Sequence, residues 1–143
     1  MSNNRFAEFD SYSRNYNVLL NKSLKITGHD YVYFAHYRLK HSFQFFNLKQ
    51  DSKFHFLDFG CGTGNLYPII QSMYPNISYT GIDVSSKSIE FAQKKYNNHV
   101  FHLVDDFNLR DHFDFVYTNG VFHHINHSEH LSCLKQIYSL LKT

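Results

Sequence analysis

The stretch that most constrains the fold spans residues 54–64, where an apolar run leads into three alternate glycines. It reads Phe-His-Phe-Leu-Asp-Phe-Gly-Cys-Gly-Thr-Gly, with the aspartate at position 58. A nearly continuous apolar run is typical of a strand that is buried on both faces of a parallel sheet. Gly60, Gly62 and Gly64 lack a Cβ, so the loop can adopt positive φ and let a ligand approach its backbone. The stretch predicts a central strand followed by a ligand-binding loop.

The spacing of these glycines separates two classes of loop. The dinucleotide fingerprint is Gly-x-Gly-x-x-Gly, and its third glycine position is occupied here by Asn65. The spacing Gly60-x-Gly62-x-Gly64 therefore disfavours a nicotinamide-dependent oxidoreductase.

After residue 51, short apolar segments alternate with segments of helical periodicity. Strands are predicted at 54–57, 77–82, 99–104 and 113–117, and helices follow the first, second and fourth of them. Ser85 or Ser86 is predicted to cap the second of these helices, and Ser128 the last. The apolar residues predicted to face inward on the last helix are Leu131, Leu134, Ile137, Tyr138 and Leu141. Because parallel strands are joined by right-handed crossovers, this order predicts an α/β fold with a Rossmann-like, doubly wound, mostly parallel sheet. We expect residues 1–50 to form an N-terminal helical cap and residues 51–143 to form the core, effectively within one domain.

The predicted cap is unusually aromatic. It consists of one helix over residues 5–26 and a second helix that is capped by Asp30. The second helix is predicted to have an apolar stripe of Val32, Ala35, Leu39, Phe43 and Phe46. The tyrosines of the cap are Tyr12, Tyr16, Tyr31, Tyr33 and Tyr37. Two interpretations are compatible with this pattern. The helices pack their aromatic faces on the core, or the tyrosines belong to a lid that lines a substrate pocket.

Polar residues and one loop glycine follow the predicted strands at the points where the strands end. They are Asp58, Gly60, Asp83, Asp105, Asp106 and Asn119. Ligands of doubly wound sheets bind outside the carboxyl ends of the strands, near the switch in strand order. We therefore expect these positions to form one shared site.

Four ordered motifs resemble the class I S-adenosylmethionine-dependent methyltransferases over about residues 54–141. The motifs are Asp-x-Gly-x-Gly-x-Gly from Asp58, an acid at Asp83, the acids Asp105-Asp106, and the segment 119–125 with its apolar-His-His-apolar pattern. The resemblance implies S-adenosylmethionine as cofactor and methyl transfer to a small-molecule acceptor. A similarity of residues 9–37 to the cap of some members hints at a sugar or surface-polysaccharide precursor.

The resemblance also implies roles for single positions. The loop residues Asp58, Gly60, Cys61, Gly62 and Gly64 contact the cofactor, with Val84 and Asn119. Asp83 accepts hydrogen bonds from the ribose hydroxyls, since a carboxylate can accept two at once. Asp105 meets the adenine amino group and Asp106 offers a backbone N–H to the ring, or the two exchange these roles. The alternatives are a helix cap for Asp83 and solvated turn acids for Asp105 and Asp106.

His123 and His124 are the candidate catalytic residues. A histidine titrates near neutral pH and could take a proton from an attacking hydroxyl, although the alternative is that the two histidines only pack or bind the backbone. These two histidines also suggest metal ligands together with His127, His130 and Glu129, but the chain has 11 histidines and we predict no metal. We expect Cys61 to pack rather than to act as a nucleophile.

Composition narrows the partners and the location. The formal net charge is +2 and no block of basic residues occurs, so we expect no nucleic-acid partner. The two cysteines are far apart and suggest no disulfide framework. We see no secretory signal and no apolar run long enough for a membrane span, and a cytoplasmic protein without membrane insertion is expected.

The sequence ends at Leu140-Leu141-Lys142-Thr143. The resembling family continues from this point into a fifth strand of a seven-stranded sheet, so the resemblance implies C-terminal truncation, with about four strands present and three missing. An open edge beside the fourth strand would favour self-association. A catalytically inactive S-adenosylmethionine-binding or interaction module is therefore the alternative function.

Overall fold

The computed structural model describes residues 30–96, 100–108 and 110–142. The helices are α1 (Tyr31–Phe45), α2 (Tyr67–Met73), α3 (Ser86–Tyr96) and α4 (His130–Leu140), with 3₁₀ turns at Phe122–His124 and His127–Glu129. The strands are β1 (His55–Phe59), β2 (Ser78–Asp83), β3 (Phe101–Leu103) and β4 (Phe115–Thr118). The helix predicted over 5–26 lies outside the described residues.

The four strands form one parallel sheet in the order β3-β2-β1-β4. The chain moves outward from β1 through β2 to β3 and then returns to the other side of β1. This reversal places the switch in strand order between β1 and β4, so the predicted doubly wound topology is confirmed. A ligand site is expected at the carboxyl ends of these two strands.

The first face of the sheet carries the larger core. Phe56 pairs with Tyr79 of β2 and with Phe115 of β4, so these side chains share one face. Apolar residues of α1, α2 and α3 cover this face, namely Ala35, Leu39, Phe43, Ile69, Ile70, Ile89 and Ala92. Phe43 is fully buried and its ring contacts Phe54, Phe56, Tyr74 and Phe115 edge-on. Helix α1 therefore shares a hydrophobic core with the sheet.

The opposite face is covered more thinly. Leu57, Phe59, Ile82 and Phe113 form a second cluster with Leu140 of α4, and Cys133 and Ile137 pack against it. Helix α4 does not bury the residues that the sequence pattern indicated. Leu131, Leu134 and Tyr138 are 64%, 51% and 69% exposed, so the prediction that they face inward is wrong. The helix is rotated so that Cys133, Ile137 and Leu140 meet the sheet.

Side-chain hydrogen bonds to the backbone mark the beginnings of two helices. Asp30 accepts a hydrogen bond from the Tyr33 N–H at 2.9 Å, and this confirms it as the cap of α1. Ser85 Oγ accepts the Ser88 N–H at 3.2 Å and caps α3, as predicted. Ser128 does not cap α4, because the helix begins at His130 and Glu129 occupies the cap position without a side-chain hydrogen bond. Ser128 lies within the preceding 3₁₀ turn instead.

Two further corrections concern α1 and the strand limits. Val32 and Phe46, predicted in the apolar stripe of α1, are 53% and 58% exposed. Strand β1 continues beyond the predicted residue 57, through Asp58 to Phe59. Asp83 is likewise the last residue of β2. Both acids thus lie on strands, where the pairing fixes their direction.

The last described residues turn back along the start of β4. The Phe113 N–H donates to Leu140 O at 3.0 Å, and the Lys142 N–H donates to Phe113 O at 2.9 Å. Phe113 and Leu141 form an isolated parallel bridge. This segment covers part of the outer edge beside β4. Within the described ranges no helix is long and apolar enough to cross a bilayer.

Candidate cofactor site and histidine turn

The glycine loop adopts the backbone that its sequence predicts. Gly60, Gly62 and Gly64 have φ of 82°, 52° and 73°. At Gly60 a close approach also requires glycine, because a Cβ there would lie 2.2 Å from Val121 Cγ2. At Gly62 nothing lies within 4 Å of the Cβ position. The loop therefore packs tightly at Gly60 and leaves an open backbone surface at Gly62.

Backbone hydrogen bonds hold this loop against β2. The N–H groups of Gly60 and Cys61 both donate to Ile82 O, at 2.8 and 3.0 Å, and the Gly64 N–H donates to Cys61 O. The Cys61 side chain is buried. Burial raises the pKa of its thiol well above the ordinary value, so the thiol stays protonated and packs, as expected.

Asp83 ties the glycine loop to the start of α3. Its Oδ2 accepts the Gly62 N–H at 2.8 Å, and its Oδ1 accepts the Ser85 N–H at 2.9 Å. Burial raises the pKa of this carboxyl, while the hydrogen bonds from Ser85, Gly62 and Val84 act in the opposite direction. The hydrogen bond from Ser85 corresponds to the capping alternative for Asp83. The hydrogen bond from Gly62 brings the same carboxylate into the loop.

Asp58 is more deeply buried, with 5% exposure, and has a partner that the sequence analysis missed. The Tyr79 hydroxyl donates to Asp58 Oδ2 at 2.8 Å. Burial raises the pKa of Asp58 to about 7, the Tyr79 hydrogen bond lowers it, and the charge of Asp83 raises it again. A tyrosine in a strand pattern two residues before Gly81 was the available signal, because a buried tyrosine hydroxyl needs a hydrogen-bond partner.

The remaining predicted cofactor contacts lie at strand ends on the surface. Val84 is 46% exposed after β2, and Asp105 and Asp106 are exposed in the turn after β3. Asn119 is exposed directly after β4. In residues 30–96, 100–108 and 110–142, no hydrogen bond joins Asp105, Asp106 or Asn119 to the glycine loop. The structure thus brings Asp58 and Asp83 to the loop. The two acids Asp105 and Asp106 and the amide Asn119 remain accessible at the ends of the strands on either side.

The end of β4 contributes one unsatisfied group. Thr118 Oγ1 is the one buried side-chain nitrogen or oxygen of the described residues without a hydrogen-bond partner. Such a group is costly, by about 1–3 kcal/mol, and it lies next to the loop that leads to the histidines.

His123 and His124 lie exposed on the 3₁₀ turn that follows this loop. Their ring centroids are 3.8 Å apart. Val121, which precedes the turn, is the residue that fills the space above Gly60. The histidine turn is therefore seated directly on the glycine loop.

His130, in the first turn of α4, holds the same turn from the other side. Its Nε2 lies 3.0 Å from both Phe122 O and Ile125 O. Because both partners are carbonyl oxygens, Nε2 carries the hydrogen. This nitrogen is occupied by the backbone, and in the described part of the chain no group of three or more histidine, cysteine, aspartate or glutamate side chains is arranged to hold a metal.

Comparisons with known proteins agree on one family. Residues 57–143 match the family described as "Methyltransferase domain". A curated relative, the malonyl-[acyl-carrier protein] O-methyltransferase of Priestia megaterium, is 31% identical over 90 residues, which cover 60% of this chain and 32% of the relative. A second curated relative, from Acetivibrio thermocellus, has the same name, with 32% identity over 56% of this chain and 30% of its own length. The chain spans about a third of the length of these curated relatives.

Solved structures show the same fold. The TehB-like SAM-dependent methyltransferase from Corynebacterium glutamicum superimposes with a TM-score of 0.64 at 20% identity, covering 92% of this chain and 67% of that chain.

Proposed function

Because the chain belongs to the class I S-adenosylmethionine-dependent methyltransferases, we propose that it binds S-adenosylmethionine at the loop after β1 and transfers the methyl group to a small-molecule acceptor. The observation that carries this proposal is the open backbone at Gly62, where nothing lies within 4 Å of the Cβ position and the Asp83 carboxylate accepts the N–H. A ligand with a diol and a cationic group suits a site that combines accessible backbone with two carboxylates.

The residues present fit the chemical groups of this cofactor. The methionine end has an ammonium and a carboxylate, for which Asp58 on β1 and the backbone groups of the glycine loop are available. Asp83 would accept hydrogen bonds from the ribose hydroxyls in place of the Gly62 N–H. Asp105 and Asp106, exposed after β3, would meet the adenine, with Val84 from the end of β2 beside them. Asn119 would approach the cofactor from the other side, at the end of β4.

When bound, S-adenosylmethionine supplies an electrophilic methyl group on a sulfonium. The chain's own residues contribute alignment, because holding the nucleophile in line with the methyl group lowers the barrier most. For a hydroxyl acceptor, His123 or His124 would accept the proton that the hydroxyl releases. A carboxylate acceptor is already ionised near pH 7 and would need alignment alone. Both histidines are exposed, and the contact of Val121 with Gly60 positions their turn beside the cofactor loop.

The choice of acceptor rests on the names of the curated relatives. The curated relatives are, by name, malonyl-[acyl-carrier protein] O-methyltransferases, and a sugar acceptor finds no support in them. The aligned segment is about a third of each relative. We therefore propose malonyl-acyl carrier protein and free dicarboxylic acids as the first acceptors to assay.

Calorimetry with S-adenosylmethionine, S-adenosylhomocysteine and NAD tests the cofactor assignment. We expect the first two to bind and NAD not to bind, because the loop lacks the dinucleotide spacing. Gly62→Ala should weaken S-adenosylmethionine, since its methyl group would occupy the open surface. Gly120→Ala is the matched control, because Gly120 also has positive φ, 72°, but lies outside the loop. Tighter binding of NAD than of S-adenosylmethionine would refute the proposal.

A methyl-transfer assay with the proposed acceptors separates the two candidate functions. Radiolabelled methyl transfer by the 143-residue chain supports the enzyme. Cofactor binding without transfer to any acceptor would favour the alternative of a cofactor-binding module.

A further inference from the structure

The buried contact between Tyr79 and Asp58 joins the core of the sheet to the glycine loop. Tyr79 faces Phe56 across the β1–β2 pairing, and Asp58 lies two residues further along the same face of β1. The tyrosine hydroxyl therefore reaches the carboxylate diagonally, at 2.8 Å. Tyr79 and Asp58 are 3% and 5% exposed. The Tyr79 ring is fixed in turn by the rings of Phe56, Tyr67 and Phe101, with centroids 5.9, 5.1 and 5.8 Å away.

The groups that face Asp58 differ in how they act on its charge. Asp83 on β2 opposes ionisation of Asp58, while the Tyr79 hydrogen bond favours it. The remaining neighbours stay neutral near pH 7, because burial raises the pKa of Cys61 in the loop, of Tyr79 itself and of Tyr117 on β4. From α1, Tyr31 acts on Tyr79 and Arg38 acts on Tyr117. Tyr79 is thus the group that keeps a buried carboxyl partly anionic.

The charge of the proposed ligand changes during its reaction. S-adenosylmethionine has one carboxylate, one ammonium and one sulfonium, and its net charge is +1. S-adenosylhomocysteine has a neutral thioether in place of the sulfonium, and its net charge is zero. An anion in a poorly solvated site therefore stabilises the first more than the second.

We propose that Tyr79 is a positioning residue that holds Asp58 as an anion beside the glycine loop, and that this charge makes the site prefer cationic S-adenosylmethionine over the neutral product S-adenosylhomocysteine. The proposal rests on the proposed function, because it concerns the same cofactor site. In this role Tyr79 acts through Asp58 and not by touching the cofactor. It influences whether the site binds the substrate or the product more tightly.

The test compares the affinities of both ligands by calorimetry at pH 5.5, 7 and 8.5. Wild type should lose its preference for S-adenosylmethionine as the pH falls through about 7, where Asp58 takes up a proton. In Tyr79→Phe the ring packing remains and the hydrogen bond is lost. If the pKa of Asp58 rises by about one unit, the ionised fraction at pH 7 falls about fivefold, and so does the preference. At pH 8.5 most of the preference should return.

Tyr74→Phe is the matched control. Tyr74 is also a buried core tyrosine, with its ring 4.5 Å from Phe43, and it makes no hydrogen bond to Asp58. This variant should keep the wild-type preference and its dependence on pH. A Tyr79→Phe protein that binds S-adenosylmethionine with the wild-type preference at every pH would overturn the proposal.

An NMR titration and a second variant test the role of Tyr79 if the binding comparison cannot be made. If wild type binds neither ligand, the proposed function fails, and ¹³C NMR titration of the Asp58 carboxyl in ligand-free Tyr79→Phe still tests Tyr79; an unchanged pKa overturns its role. If Tyr79→Phe does not fold, Asp58→Asn replaces it, because the amide keeps the shape without the charge. Asp58→Asn should lose the pH-dependent preference, and a retained preference overturns the proposal.

Discussion

At the residue scale, Asp58 makes the ligand-free protein sensitive to pH. Its pKa is about 7 in the folded protein and about 3.9 in an unfolded chain. Between these values the folded state holds a proton that the unfolded state has released, so the free energy of unfolding falls as the pH rises from about 4 to about 7. The slope approaches roughly 1.4 kcal/mol per pH unit.

Asp58→Asn should remove this contribution. We expect the variant to be more stable than wild type at pH 8, by a few kcal/mol at most, and close to wild type at pH 5. Urea unfolding at both values measures the difference. A variant that is equally shifted at pH 5 and pH 8 would show that Asp58 does not titrate in this window.

Asp83 combines a structural contact with a proposed ligand contact, and two variants separate them. Asp83→Ala should weaken S-adenosylmethionine binding by at least about tenfold, because hydrogen bonds to a charged group contribute roughly 1.5–3 kcal/mol each. Ser85→Ala removes the cap of α3 without changing the carboxylate. It should lower stability by about 1 kcal/mol and leave binding unchanged. Equal affinities of wild type and Asp83→Ala, with the fold intact, would leave Asp83 as a cap alone.

The positions of these acids were predictable from the sequence, but several of their contacts were not. Asp58 and Asp83 were predictable at the sheet's carboxyl edge because alternating strands and helices determine which residues end a strand. The sequence indicates that a buried tyrosine at 79 needs a partner but does not identify Asp58, and it does not predict that Val121 meets Gly60, because these contacts depend on the packing of segments that are distant in sequence. The proposed ligand contacts of Asp105, Asp106 and Asn119 stay predictions.

At the element scale, the histidine turn is held between the glycine loop and α4. Val121 packs on Gly60, and the His130 ring binds the carbonyls of Phe122 and Ile125. This arrangement fixes the turn and leaves the rings of His123 and His124 exposed. A fixed backbone with accessible side chains suits a general base.

If His123 or His124 is the base for a hydroxyl acceptor, its replacement by alanine should lower turnover of that acceptor by roughly 10²–10⁴-fold while S-adenosylmethionine binding survives. His127→Ala is the control, because His127 lies exposed on the neighbouring 3₁₀ turn. Turnover and calorimetry on the three variants, in a protein that shows activity, measure the effect. Parallel losses of binding and turnover would indicate a structural role.

For helix α4 the helical periodicity did not predict which residues face the sheet. Its apolar residues are distributed around more of the helix than one stripe, so the sequence pattern did not determine which of them face the sheet. Packing against Leu57 and Phe113 selects Cys133, Ile137 and Leu140. The caps of α1 and α3 were predictable because a cap depends on residues within one turn.

At the scale of the whole molecule, α4 presents an apolar surface beside the edge of β4. Leu134, Ile137, Tyr138 and Leu141, with Lys135, line a shallow depression there. Exposed apolar surface of this kind favours association. The parallel order of β3-β2-β1-β4 was predictable because the alternation of strands and helices permits few topologies. The division into a cap and a core stays a prediction.

We expect the 143-residue chain to self-associate through this surface. Leu134→Glu should reduce association, because it places a charge in the apolar surface at a position that is 51% exposed and costs little stability. Val32→Glu is the control, since Val32 is 53% exposed on α1, which packs on the opposite face. Light scattering over a range of concentrations measures the effect. Monomeric wild type, or equal effects of the two substitutions, would contradict the role of α4.

The contact between Gly60 and Val121 has a consequence for sequence variation in this chain. A Val121 methyl group occupies the space that a side chain at position 60 would need, since an added Cβ would lie 2.2 Å from it. A larger residue at 60 can be accommodated only if 121 becomes smaller, and the positive φ at 60 restricts even that exchange. The two positions are therefore not free to drift separately. The packing at position 60 therefore also limits which residues can precede the histidines.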